Sequence, residues 1–198
     1  MIKLFYAPAS PYSAKVLIAA RAAGVPVETV KVDTAAQPAE LLAVNPLGRI
    51  PVLLAEDGLA IHDSRSITHY LDRLSGRRLY PRQAEKRTRA EVLESMADGI
   101  CDSLLDHVYE RRFRPQEKVH APWLDRLWAK AVRALDLLEE APPRLAGRLD
   151  AGQIALRCCL GYMDLRFDGV WRQGRPQLQR WAKAFDRRHP DLVPLLPH

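Results

Sequence analysis

The sequence changes character at Pro81. Before that point strand-like and helix-like patterns alternate, and after it the chain reads as helix with short breaks. An alternating front part followed by a helical remainder predicts two packed units: an α/β domain over residues 1–80 and an all-helical bundle over residues 81–198, joined by a linker from Gly76 to Pro81.

The front unit can be followed element by element. Lys3 to Tyr6 suits a short strand, and Pro11 to Ala23 a helix closed by Gly24, with Pro26 soon after. Val27 to Val32 alternates as a second strand does. A helical piece around Leu41 to Val44 leads into the turn Asn45-Pro46-Leu47-Gly48, and Val52 to Ala55 gives a third strand. Asp57-Gly58 is a hairpin signal, so Leu59 to His62 is expected to return antiparallel. Ser64 to Leu74 then carries Ile67, Tyr70, Leu71 and Leu74 at helical spacing. The order β-α-β-α-β-β-α is thioredoxin-like.

In the rear unit Val92, Met96, Ile100, Leu104 and Val108 recur every four residues and predict one long amphipathic helix. Trp123, Leu127, Ala131, Leu135 and Leu138 predict a second, stopped by Ala141-Pro142-Pro143. A third starts near Asp150. From Ile154 to Leu165 it is apolar on almost every side, which predicts a place at the centre of the bundle. The last helix is expected from about Pro176 to His189.

Several function classes fall away on composition. No run of about twenty uncharged apolar residues is present for a membrane span. Met1 to Tyr6 runs straight into a strand pattern without the apolar core of a signal peptide, so the cytoplasm is the expected location. Cys101, Cys158 and Cys159 make an odd set without Cys-x-x-Cys spacing, which favours buried thiols over disulfides or zinc. The net charge of +6 comes from arginine spread along the chain, with no basic block interleaved with aromatics, so nucleic acid is not an expected partner. The six histidines show no ligand spacing, and no metal is expected.

The candidate chemistry lies where strands give way to helices. Ser10 before Pro11 is the preferred N-cap and N1 combination. A hydroxyl at a helix start can also face an anion drawn by free N–H groups and the helix dipole. Asp63 and Ser64 stand at a second such start. Pro51 precedes a strand, where proline ordinarily marks an edge and its peptide bond is ordinarily trans. Asp150 with Gln153 is a capping-box pattern.

Four patterns carry a resemblance to the cytosolic glutathione transferases, in particular a bacterial serine-type subgroup. Ser10-Pro11-Tyr12-Ser13-Ala14-Lys15-Val16 is similar to the family's Ser-Pro-Phe-x-x-Arg/Lys segment. Asn45-Pro46-Leu47-Gly48-Arg49-Ile50-Pro51-Val52-Leu53 is similar to its Asn-Pro-x-Gly-x-Val-Pro-x-Leu. Ile61-His62-Asp63-Ser64-Arg65-Ser66-Ile67 resembles its Glu/Gln-Ser-x-x-Ile segment, with a shorter aspartate for the usual glutamate or glutamine. Leu149 to Ala155 with Leu160 to Arg166 resembles a capped central helix, with Gln153 where the family has aspartate.

The resemblance implies a glutathione transferase in which Ser10 holds the glutathione thiolate, with Tyr6 and Ser13 as alternatives. Glutathione is then a substrate, alongside a small electrophile. The resemblance also implies a cis Pro51 and a tripeptide paired on the main chain around Ile50, Pro51 and Val52. Ser64 would hold the γ-glutamyl carboxylate, Asp63 the ammonium and Arg49 the glycyl carboxylate. A free thiol has a pKa near ~8.5, and lowering it by about two units requires ~2.7 kcal/mol. A hydrogen bond to a charged group at ~1.5–3 kcal/mol and a helix end at ~0.3–1 kcal/mol are of that size. Tyr109, Arg111 and Arg112 border a second-substrate pocket or else form a solvated helix end. The family further implies a homodimer and a detoxifying role. A glutathione-dependent isomerase and a non-enzymatic binding or regulatory relative remain as alternatives; thiol-exchange chemistry does not fit a front domain without cysteine.

Overall fold

The computed structural model describes residues 1–145 and 147–198. The N-terminal α/β domain holds a four-stranded mixed sheet, and the C-terminal domain is helical. The sheet comprises β1 (Lys3–Tyr6), β2 (Glu28–Lys31), β3 (Val52–Leu54) and β4 (Ala60–Ile61), in the spatial order β2-β1-β3-β4. β2 lies parallel to β1, while β3 is antiparallel to β1 and β4 antiparallel to β3. The helices of this half are α1 (Pro11–Ala23), α2 (Ala39–Val44) and α3 (Ser64–Leu74). The helical half contains α4 (Ala84–Phe113), α5 (Ala121–Glu140), α6 (Ala151–Arg166) and α7 (Pro176–Arg188).

Local signals set the ends of these elements. Ser10 caps α1 by accepting from the Ser13 N–H at 3.2 Å, and Gly24 closes it in the left-handed region at φ 72°. Asp63 caps α3, and Asp150 with Gln153 forms a complete capping box on α6. Asp57 accepts from the Leu59 N–H across the hairpin turn, where Gly58 takes φ 86°.

α6 is the centre of the molecule. Every residue from Ala151 to Met163 is buried, with α1 on one side and α4 on the other. At Gly152 the helices come so close that a Cβ would meet the Ala90 carbonyl oxygen at 2.5 Å. One apolar core runs continuously through Leu4, Ile18 and Leu71 of the front half and Leu104, Leu156 and Phe185 of the rear half. A smaller cluster of Phe5, Val32, Leu41 and Val52 fills the other face of the sheet.

The stripe expected on α4 holds at Ile100 and Leu104, which are buried, but not at Val92, which is 55% exposed; Ala90, Glu94, Ala97 and Cys101 complete the inward face. A strict four-residue step advances about 40° beyond a full turn each time, so five such residues leave the buried face. On α5 the first buried residue is Leu124 rather than Trp123. All three cysteines are buried and free. No helix among the described residues is long and apolar enough to cross a membrane.

Candidate functional site

The sheet register gathers three of the expected site segments at one end. Phe5 pairs with Val52 and Leu53 with Ile61. One residue beyond the Phe5–Val52 pair lie Tyr6 and Pro51, and two residues beyond Ile61 lies Asp63, so all three stand at the same end of the sheet. Neighbouring strands lie about 4.8 Å apart, so the three strands span about 10 Å. Two helices start at this end, α1 at Pro11 and α3 just after β4, and each turns the positive end of its dipole toward it, with most of its first-turn N–H groups already capped by Ser10 or Asp63.

Ser10 sits at the first of these starts, partly exposed, at the end of a turn in which its N–H donates to the Ala7 carbonyl at 3.1 Å. Its oxygen accepts one bond as the cap and keeps its proton free to donate. Tyr6, the last residue of β1, is half-buried. Ser13 is fully buried and its hydroxyl accepts from the Ala7 N–H, so it braces the loop from beneath rather than facing an incoming thiol. The loop is also held from outside, where the His198 N–H donates to the Pro8 carbonyl at 3.2 Å.

The Ile50–Pro51 peptide is cis. Asn45 builds the approach to it: buried, it donates from Nδ2 to the Arg49 carbonyl at 2.8 Å and accepts from the Leu47 N–H at 3.1 Å. Val52 is fully buried inside β3, which leaves only its main chain for recognition, while Ile50 is half-buried just outside the strand. Arg49 is exposed on the same loop.

At the second helix start, both capping bonds of Asp63 fall on Oδ1, from the Arg65 and Ser66 N–H groups. Oδ2 remains open to another donor. Ser64 is the first residue of α3 and only 3% exposed. The structural role of Asp63 as a cap and a role in binding an ammonium therefore use different oxygens.

The sequence reading missed the carboxylates of α4 that hold both helix starts. Lys15 of α1 is 1% exposed, with its Nζ 2.8 Å from Asp98 Oδ2 and 3.1 Å from Glu94 Oε1. Asp98 also accepts from Arg65 Nε of α3 at 2.8 Å. Tyr12 donates to Asp102, and Tyr80 to Glu94 at 2.6 Å. Burial, first, and these carboxylates drive both phenols far above their usual range, so they stay protonated donors. Glu94, Asp98 and Asp102 step by four along one face of α4. That spacing was the available signal.

Among the described residues no group of three His, Cys, Asp or Glu side chains is placed to hold a metal ion. Burial pushes the Cys158 thiol up to about 12, and the hydrogen bond to Cys159 followed by burial raises Cys101 as well. Such thiols are poor nucleophiles at neutral pH.

Two family models match the chain: the N-terminal domain of glutathione S-transferases over residues 4–79 and the C-terminal domain over residues 121–184. The chain is 33% identical over 139 residues to the uncharacterized GST-like protein YibF of Escherichia coli, covering 68% of each chain. Among solved structures, it superimposes on a glutathione transferase family member from Pseudomonas fluorescens with bound glutathione, at a TM-score of 0.90 and 37% identity over the whole of both chains. It matches a glutathione S-transferase from Methylobacillus flagellatus with glutathione bound at the same TM-score, with 30% identity over the whole of both chains.

Proposed function

Because the chain belongs to the glutathione S-transferase family, we propose that it binds glutathione and activates its thiol as a thiolate for attack on electrophiles. The observation that carries this reading is the set of Tyr6, Pro51 and Asp63 at one end of the sheet, flanked by two helix starts. An extended tripeptide spans about 10 Å, the width of those three strands. Bound glutathione in relatives with 30% and 37% identity supports it.

In this reading each end of the tripeptide meets a complementary group. The γ-glutamyl carboxylate takes the α3 start and the Ser64 hydroxyl, and the ammonium takes Asp63 Oδ2. The cysteinyl main chain pairs beside cis Pro51, with Ile50 and Val52 contributing main-chain groups as an added strand would. Arg49 reaches the glycyl carboxylate. The sulfur lies over the start of α1, where the Ser10 hydroxyl donates to it and the helix dipole favours its charge. No general base is needed, because the proton leaves to solvent when the thiol ionises. Residues 1–80 serve glutathione and residues 81–198 the electrophile. The protein works in the cytoplasm as a symmetric dimer, and sedimentation at monomer mass would contradict the dimer.

Calorimetric titration with glutathione tests the division of roles. Ser64→Ala is expected to weaken binding about tenfold, while Ser10→Ala leaves affinity within about threefold. Equal losses in both variants would contradict it. No binding to the wild-type protein would favour a regulatory relative that has lost the site.

A further inference from the structure

Residues 192–198 run from the helical half to the loop that carries Ser10. Pro190, Pro194 and Pro197 stiffen this stretch, because each proline ring fixes its φ near about −65°. Leu192 and Leu196 are buried in the main core, and Val193–Leu195 form one turn of 3₁₀ helix that packs on α1. The chain then lies against α6 where Gly161 leaves room for it: a Cβ at Gly161 would stand 3.1 Å from Pro197 Cδ and 3.6 Å from Leu196 Cβ. The His198 ring Nδ1 lies 2.9 Å from the Leu196 carbonyl oxygen, and the His198 main-chain N–H donates to the Pro8 carbonyl at 3.2 Å.

The position of that last bond gives it its weight. Ala7 to Ser10 is a β-turn closed by the Ser10 N–H on the Ala7 carbonyl at 3.1 Å, with Pro8 at the position where proline presets the turn. Ser13 holds the Ala7 N–H from beneath. Neither bond touches the middle peptide, Pro8–Ala9, which is the plane that rotates when one turn type passes into another. Among the described residues its carbonyl has one partner, the His198 N–H. Ala9 leads directly into Ser10, so a rotation of this plane is carried into the position of the Ser10 hydroxyl, and a hydrogen bond weakens steeply as its angle departs from linear.

We infer that residues 192–198 are a strap that positions Ser10, with the His198 main-chain N–H fixing the Pro8–Ala9 peptide so that the Ser10 hydroxyl meets the glutathione sulfur. The inference rests on the proposed glutathione chemistry. Leu192 and Leu196 anchor the strap in the core, and Gly161 seats Pro197 on α6. His198 is a positioning residue that acts through Pro8. It does so with its main chain, so the ring can be replaced and the N–H cannot.

Two variants of the whole protein separate these parts. His198→Pro removes the N–H, His198→Ala keeps it, and both lose the ring. Ultraviolet thiolate absorbance of bound glutathione is followed against pH, and affinity is measured by calorimetry. His198→Pro is expected to raise the bound thiol pKa by at least about half a unit, whereas His198→Ala matches the wild type, and both keep glutathione affinity within about threefold. Equal thiol pKa values in the two variants would overturn the inference, as would a loss of affinity beyond about tenfold in His198→Pro without a pKa shift. In either case a depressed wild-type thiol pKa that rises in Ser10→Ala leaves the glutathione reading standing. A wild-type protein that does not depress the thiol pKa would overturn both.

Discussion

Lys15 and Asp98, from opposite halves of the chain, form a buried ion pair at 2.8 Å, and the same carboxylate holds Arg65 of α3 at 2.8 Å. One α4 residue thereby fixes the helices that begin at Ser10 and at Ser64. Removing one partner of a buried pair leaves a charge in an apolar interior. Asp98→Ala is accordingly expected to destabilise the fold by about 3 kcal/mol in chemical denaturation, even though Glu94 remains beside Lys15. A loss below about 0.5 kcal/mol would mean that the pair is solvated and holds little.

Close packing of α6 on α4 gives a second expectation. Gly152→Ala gains up to about 1 kcal/mol of helix propensity, yet the new Cβ meets backbone oxygen at 2.5 Å and the Leu93 Cβ at 2.9 Å. The helices must separate, and the net change is expected to be a loss of about 1–3 kcal/mol in thermal melting. A stabilised variant would show that the contact relaxes without cost.

Much of this was legible before the structure, for physical reasons that differ by element. The start and end of α1 follow from Ser10-Pro11 and Gly24, and the α6 cap from Asp150 with Gln153, because capping depends on residues within one turn. The apolar body of α6 foretold its central place. The inward face of α4 was legible only in part, at Ile100 and Leu104, because it also includes Glu94 and Asp98. Their burial depends on Lys15 and Tyr80, which are distant from them in sequence. Site residues such as Ser64 and Arg49 came from resemblance, because a ligand contact leaves no signal in local spacing.

His107 gives a pH dependence. Burial, foremost, and then Arg111 lower its pKa, with Asp125 opposing, while Phe167 and Trp128 pack on its ring. In this window the unfolded chain binds the proton more readily, so stability is lost as pH falls from about 6.5 through the depressed folded value. His107→Gln should therefore shrink the drop in Tm between about pH 7 and pH 5 relative to wild type. An unchanged drop would assign that acid sensitivity to other groups, with His189, also lowered chiefly by burial, the next to examine.

The central claim is that Ser10, at the start of α1, stabilises a glutathione thiolate. The measurement that tests it most directly is ultraviolet thiolate absorbance of bound glutathione against pH, for wild type and Ser10→Ala. The account predicts a bound thiol pKa about two units below the free value in the wild type, shifted back up by at least about one unit in Ser10→Ala, with glutathione still bound in both. A depressed thiol pKa that is the same in both proteins would contradict it.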